Sequence, residues 1–204
     1  MIHTLSDLPP TYVKVGEKKY WIRTSFRSAL LALDVIKDGL LSEYEKMDLI
    51  IESLVKNPFV KWMPAEKKMS LYSSIASDFL SHGQEKKTSS KKVMDLVQDK
   101  SLIIAAFRQS YGIDLCSRSL DLHWWTFLDL LAGIPADTRL MEIVSIRSMP
   151  LPKPTKYNHE ERAQLMRLKS EYALKLSDEE KQAQMQDGLR RMAASLQAIA
   201  KKRG

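Results

Sequence analysis

The sequence predicts a mainly α-helical body with a small N-terminal β-hairpin and a C-terminal helical tail. Three observations carry that expectation. Apolar residues recur at spacings of three and four through most of the chain, a single stretch alternates apolar with polar, and prolines at 150, 152 and 154 interrupt the helical pattern late in the sequence.

That single stretch is TYVKVGEKKYWIRT, which alternates on both sides of Gly16 and predicts a hairpin over about residues 11–23. Thr24 is placed to cap a first helix with Phe26, Leu30 and Leu33 on one face and Gly39 as its stop. Ser42 and Glu45 have capping-box spacing, in which each side chain accepts from the other's backbone N–H. They open a second helix that turns Met47, Ile50, Ile51, Leu54 and Val55 inward as far as Asn57-Pro58. Pro64 at a first-turn position starts a third, with Leu71, Ile75 and Phe79 on one stripe and Gly83 beyond its end. Residues 83–92, GQEKKTSSKK, hold no apolar side chain and are expected to form an exposed connection. Helical patterning resumes near Val93, runs through Leu102, Ala106 and Phe107, breaks at Gly112 and restarts as DLHWWTFLDLLAG. A short helix is expected over about residues 138–147.

The prolines of PLPKP then deny the backbone helical hydrogen bonds and favour an extended strut. The chain therefore divides into a body, 1–148, a Pro-rich strut, 149–157, and a basic tail, 158–204. Asn158 with Glu161 and Ser177 with Glu180 repeat the capping-box spacing, which implies tail helices over about 159–175 and 178–202. In the second, Met185, Leu189, Met192, Leu196 and Ile199 form one apolar seam of the kind that lies in a groove or against another helix. Such a helix is marginal alone in water, so it is expected to dock on its own body, on a second copy or on a partner.

At 204 residues and 44% apolar content the chain can bury a core, and its net charge is +7. From residue 153 onward twelve Lys and Arg face seven Asp and Glu, which puts much of the excess in the tail. Charges of both signs are interleaved there, the pattern of a solvated helix face. In a nucleic-acid alternative Arg190, Arg191, Lys201, Lys202 and Arg203 would contact phosphates, but neither a recognition-helix motif nor a stacking platform accompanies them. Apolar runs such as Leu102 to Phe107 are far shorter than the ~18 residues of a membrane span. MIHTLSDLPP lacks the basic start and apolar core of a signal peptide, so a cytosolic protein without membrane contact is expected.

The stretch YGIDLCSRSLDLHWWTF, residues 111–127, gathers aromatic side chains around the chain's one Cys. A thiol nucleophile at Cys116 would need His123 as its base, and neither an oxyanion turn nor a third group accompanies the pair. Zinc would need about four ligands at set spacings, and the sequence lacks CxxC, HxxxH and HExxH. Phosphate-cradling glycine loops are missing too, and Asp114, Asp121 and Asp129 suit helix caps better than acid–base work. The expectation is no enzyme, cofactor or metal. On a helix Leu120, Trp124, Phe127, Leu128 and Leu131 share one face, with His123 and Trp125 nearer its edges. His123 would satisfy backbone or carboxylate groups, Trp125 would contribute to a contact surface, and Cys116 would be a small core filler or a loop residue.

The segments AAFRQSYGIDL, LHWWTF, LLAGIPADTRL and IVSIR, in that order, resemble the central region of the bacteriophage gene-product-fifteen family. The likeness is strong from about Val93 to Arg147 and thinner at the hairpin, at TSFR and at NHEERAQLMRLKSEYAL. Its motif residues here are Phe107, Tyr111, Gly112, Ile113, Asp114, Leu115, Leu122, His123, Trp124, Phe127 and Gly133, all of a structural rather than a chemical kind. Beyond about Lys175 the chain runs past the family's usual end. Those proteins come from long-tailed phages and prophages of Gram-positive bacteria and are taken to be tail assembly chaperones. The resemblance implies a binder of the tape measure protein and of a companion chaperone, acting in the host cytoplasm and absent from the finished virion. The alternative it leaves is a structural tail component, a connector or completion protein, with the same helical body. Ten Met in the chain suit adaptable contact with apolar helices.

Overall fold

The computed structural model describes residues 8–82 and 92–175, with Met185, Gln186 and Arg190 beyond them. It is mainly α, as expected, with one two-stranded antiparallel sheet near the N-terminus. The chain falls into two compact units, one of residues 1–90 with 102–141 and one of residues 91–101 with 142–204.

In the first unit β1 (Tyr12–Val15) and β2 (Lys18–Trp21) pair with Tyr12 opposite Trp21 and Val13 opposite Tyr20. Val13 is buried, and Ile22, fully buried, leaves the hairpin through a backbone bridge to Val55. Helix α1 (Phe26–Lys37) begins after Ser25 rather than Thr24, and the Ser25 side chain makes no capping bond. The reason is long-range: the Thr24 carbonyl accepts from the Trp124 N–H at 2.8 Å, and the Phe26 N–H donates to Leu122 at 2.9 Å. A bridge between Ser25 and His123 thus ties the start of α1 to a turn a hundred residues away. The buried face of α1 is Phe26, Ala29 and Ala32, while Leu30 and Leu33 are half-buried. Gly39 is not the stop, because Asp38 turns extended after Lys37 and its carboxylate accepts from the Leu40 N–H.

Helix α2 (Glu43–Leu54) packs on α1 and opens with the expected capping box. Ser42 and Glu45 exchange backbone bonds at 2.9 and 3.3 Å. Met47, Ile50, Ile51, Leu54 and Val55 are all buried, as their spacing requires. At its other end Arg23 donates to the carbonyls of Glu52, Ser53 and Val55 at 2.8 to 3.1 Å, placing a cation on the negative pole of the helix. A 3-10 turn (Pro58–Trp62) follows, and then α3 (Ala65–Ile75), which widens into a π-turn (Ala76–Leu80). Leu71, Ile75 and Phe79 form the expected buried stripe. Lys68, itself buried, spans α3 to α2 through Asp48 at 2.9 Å, and that bond holds its ammonium pKa above the usual value.

Helix α4 (Lys100–Tyr111) starts later than the pattern at Val93 suggests, since Asp95 caps a turn ahead of it by accepting from Val97 and Gln98. It ends where expected. Gly112 has φ +65°, and its N–H bonds the Arg108 carbonyl at 3.1 Å, a left-handed cap that a side chain would strain. Helix α5 (Trp124–Ala132) completes the core of the first unit, and Leu120 lies in the loop before it rather than on its face. Helix α6 (Arg139–Ser148) begins at Thr138, whose buried hydroxyl accepts from Met141 and donates to Pro135.

The second unit is organised by an ion pair. Arg147 meets Asp99 through two bonds, 2.7 and 2.9 Å, with both side chains nearly out of solvent. The same guanidinium donates to the carbonyls of Val93 and Tyr172, and Lys169 donates to the carbonyl of Arg147. Helix α7 (His159–Glu171) starts at Asn158 as expected and ends four residues before 175. The capping box does not form there, because the Asn158 side chain is held by the Thr155 N–H and the Lys153 carbonyl. No α7 side chain is fully buried. All of the connection expected over 83–92 except Lys92, together with Ser177 and most of the helix expected over 178–202, Glu180 included, lies outside the described residues.

Burial raises the pKa of Asp95, but the Lys92 ammonium and the N–H groups of Gln98 and Val97 outweigh it and hold the carboxyl at about 2. Its unfolded value is about 3.8, so this contribution is full above that pH and fades as pH falls toward about 2. Replacing Arg147 with Ala leaves the Asp99 carboxylate buried and uncompensated, an expected loss of about 3–5 kcal/mol. Arg147→Lys should rescue little, having one donor point where four acceptor atoms must be met. Amide hydrogen exchange checks this: protection should fall first in residues 92–100 and 142–172.

Candidate functional site

The aromatic stretch is assembled from four helices of the first unit. Phe127 of α5 lies between three rings, Phe26 of α1 at 5.1 Å, Phe107 of α4 at 5.3 Å and Trp124 at 5.6 Å, with planes inclined by 15° or less. Around this stack the polar ends of the aromatics are committed to backbone. The π-turn closing α3 frees carbonyls at its end, and the two adjacent indoles take them: Trp125 donates to Phe79 at 2.9 Å and Trp124 to Leu80 at 3.4 Å. Tyr111 donates to the Leu130 carbonyl at 2.8 Å. That approach explains Gly133, where a Cβ would lie 3.2 Å from the Tyr111 hydroxyl.

His123 is the N-cap of α5, a role usually filled by Ser, Thr, Asp or Asn. Its Nδ1 accepts from the Trp125 N–H at 3.1 Å, so Nε2 carries the proton and donates to the Pro10 carbonyl, also at 3.1 Å. With both nitrogens engaged, the ring has no free lone pair for a general base in this geometry. Burial pushes its pKa below the usual value, His82 nearby adds to that, and the Pro10 carbonyl opposes it. Of the two places expected for Cys116, core and loop, the structure shows the loop: it is exposed after Gly112, with its N–H held by the Asp114 carboxylate. Asp114 also pairs with Arg108 at 2.9 Å, and these two contacts lower its pKa. Among the described residues no group of three or more His, Cys, Asp or Glu stands where it could hold a metal ion. No helix among them is long and apolar enough to cross a membrane.

The structure thus brings Phe107, Tyr111, Gly112, His123, Trp124, Phe127 and Gly133 together, with Ile113, Asp114 and buried Leu115 in the loop beside them and Leu122 joined through its carbonyl to α1. It places Trp125 with them. That ring is 8% exposed and stacks on His82 at 4.0 Å, and His82 in turn bonds Asp129, so little of the indole faces outward. Of the tail seam, Met185 is exposed, while Leu189, Met192, Leu196 and Ile199 lie outside the described residues. Sequence reasoning did not find Arg27, whose guanidinium donates to the carbonyls of Leu115, Ser117 and Leu120 at 2.6 to 3.0 Å and shapes the loop that carries Cys116. Arg27 and Arg147 stand in the segments TSFR and IVSIR, but the carbonyls they bind leave no mark in sequence.

These features define a mainly α-helical protein whose recognisable motif residues serve its own joints. A family model described as Bacteriophage Gp15 protein matches residues 5–174, 170 of the 204, and the chain belongs to that family. It is thereby a phage structural or assembly protein. No curated protein and no solved structure matches the chain.

Protonating Nδ1 of His123 would remove the cap. The unfolded ring titrates near 6.5 and the folded ring lower, so the unfolded state binds more protons in that range. Stability should be full above about pH 6.5 and decline as pH falls through the folded value. Melting temperature measured across this range should show a shallower decline in His123→Asn, which caps without titrating. At neutral pH His123→Ala should cost about 0.5–2 kcal/mol.

Proposed function

We propose that this protein is a phage tail assembly chaperone, a non-enzymatic binder that covers the tape measure protein in the host cytoplasm until tail-tube subunits polymerise around it, and is absent from the mature virion. The observation that carries this reading is the family match over residues 5–174. A tape measure chain is long, apolar and helical and would self-associate if left bare. Covering it requires apolar side chains presented at helical spacing and affinity low enough for release, shared over several copies. A companion chaperone and self-association are the further contacts this function implies.

Met185, Leu189, Met192, Leu196 and Ile199 are the proposed client contacts. Met185, the member of the seam whose side chain is described, is 65% exposed. Changing Leu189 and Leu196 together to Asp should weaken co-purification with the tape measure protein by about tenfold or more while the melting temperature of the body stays unchanged. Undiminished co-purification would remove the seam from this function. Mass spectrometry of purified particles tests the function itself: the chaperone should be missing, whereas a connector or completion protein would be present at fixed stoichiometry.

A further inference from the structure

Outside the aromatic hub and the tail, the first unit carries a groove of about 670 Å³ between β2 and the chain that follows α2. Trp21, Phe59, Trp62 and Met63 give it an apolar lining, Lys18, Lys19, Lys56 and Lys67 surround them, and none of its lining residues is acidic. Trp21, Phe59 and Trp62 are 54%, 70% and 69% exposed. Three large rings left in water together, bordered by charge, mark a contact surface rather than the scattered apolar residues normal on any protein. The rings are also held in place. Asn57 accepts from the Phe59 N–H and sets the 3-10 turn, Phe59 and Trp62 touch at 5.7 Å, and Trp21 meets Tyr12 edge-on at 5.5 Å. Such preorganisation lowers the entropy lost when a partner docks.

We propose that this groove is the docking site for an acidic amphipathic segment of a partner protein, with its apolar side chains on Trp21, Phe59 and Trp62 and its carboxylates toward the lysines that border them. Charge complementarity selects the occupant: the lining holds four lysines and no acidic residue, and Lys61 stands beside it over Trp62, so its net positive charge repels a basic segment and attracts an acidic one. A second copy of this chain is disfavoured by its own net charge of +7. Stacked bases are disfavoured because the planes of Phe59 and Trp62 are inclined by 37° and the Lys61 ammonium covers one face of Trp62 at 4.3 Å. A concave site also receives an inserted segment better than the flat surface of a bilayer. The proposal does not rest on the chaperone reading, since the groove's chemistry is the same in a structural component.

The test uses the full-length protein and three fluorescein-labelled probes: an amphipathic peptide of leucine and glutamate at helical spacing, the same peptide with lysine for glutamate, and oligo-dT. The acidic peptide should bind in fluorescence anisotropy, protect tryptophan from acrylamide quenching and weaken as salt is added. Its affinity should fall about tenfold or more in Phe59→Ala with Trp62→Ala and, separately, in Lys18→Glu with Lys19→Glu. These are exposed side chains, and circular dichroism should confirm that both variants stay folded. The Leu189 and Leu196 substitutions should leave this binding unchanged, which separates it from the tail seam. Equal binding of the lysine peptide, full affinity in both groove variants, or preference for oligo-dT lost in those same variants would overturn the proposal. A dimer of the full chain that the groove variants dissociate would overturn it in favour of a second copy.

Discussion

The joints between these helices leave carbonyl oxygens that neither helix nor strand can satisfy, and the structure depends on long side chains that reach back to them. A buried acceptor without a partner costs about 1–3 kcal/mol, so each joint must find a donor or open to water. Arg23 closes the end of α2, Arg27 the loop before α5, Arg147 the meeting of three segments in the second unit, and the two indoles the end of the π-turn. A guanidinium suits this task because its fork meets several oxygens at once and remains charged at any physiological pH. Apolar burial holds the helices, and these donors close the joints at which some of them meet.

This division explains what sequence reading reaches and what it misses. The Ser42–Glu45 box and the buried stripe of α2 are local, and they form as written. Asn158 and Glu161 have the same spacing and do not form a box, because the proline-rich chain before them brings the Lys153 carbonyl and the Thr155 N–H within reach of the Asn158 side chain. Thr24 yields to Ser25 for a similar reason, its carbonyl taken by Trp124. Helical periodicity places Trp125 at an edge, where it would be exposed were it not for the end of the π-turn and the His82 ring. The partners of Arg27 and Arg147 are 88 to 93 and 25 to 54 residues away and include plain carbonyls, so no residue pattern announces them. No periodicity marks the groove, because Phe59 and Trp62 sit in a short 3-10 turn.

The residues that carry the resemblance and those proposed to meet a partner are therefore different sets. Phe107, Tyr111, Gly112, His123, Trp124, Phe127 and Gly133 are constrained by stacking, by a positive φ and by a 3.2 Å approach, all of them demands internal to the first unit. The exposed rings of Trp21, Phe59 and Trp62 belong to the other set. A chain organised in this way can keep its core fixed while its exposed surface varies. The family match ends at residue 174, so the seam beyond it lies outside the shared part of the chain.

The loop under Arg27 has a practical consequence. It holds the chain's one sulfhydryl in the open on a backbone pinned by three carbonyl bonds. A maleimide dye, spin label or photo-crosslinker attached there would occupy one defined position without any engineered cysteine, so distances from it to a labelled binding partner could be measured on the native chain.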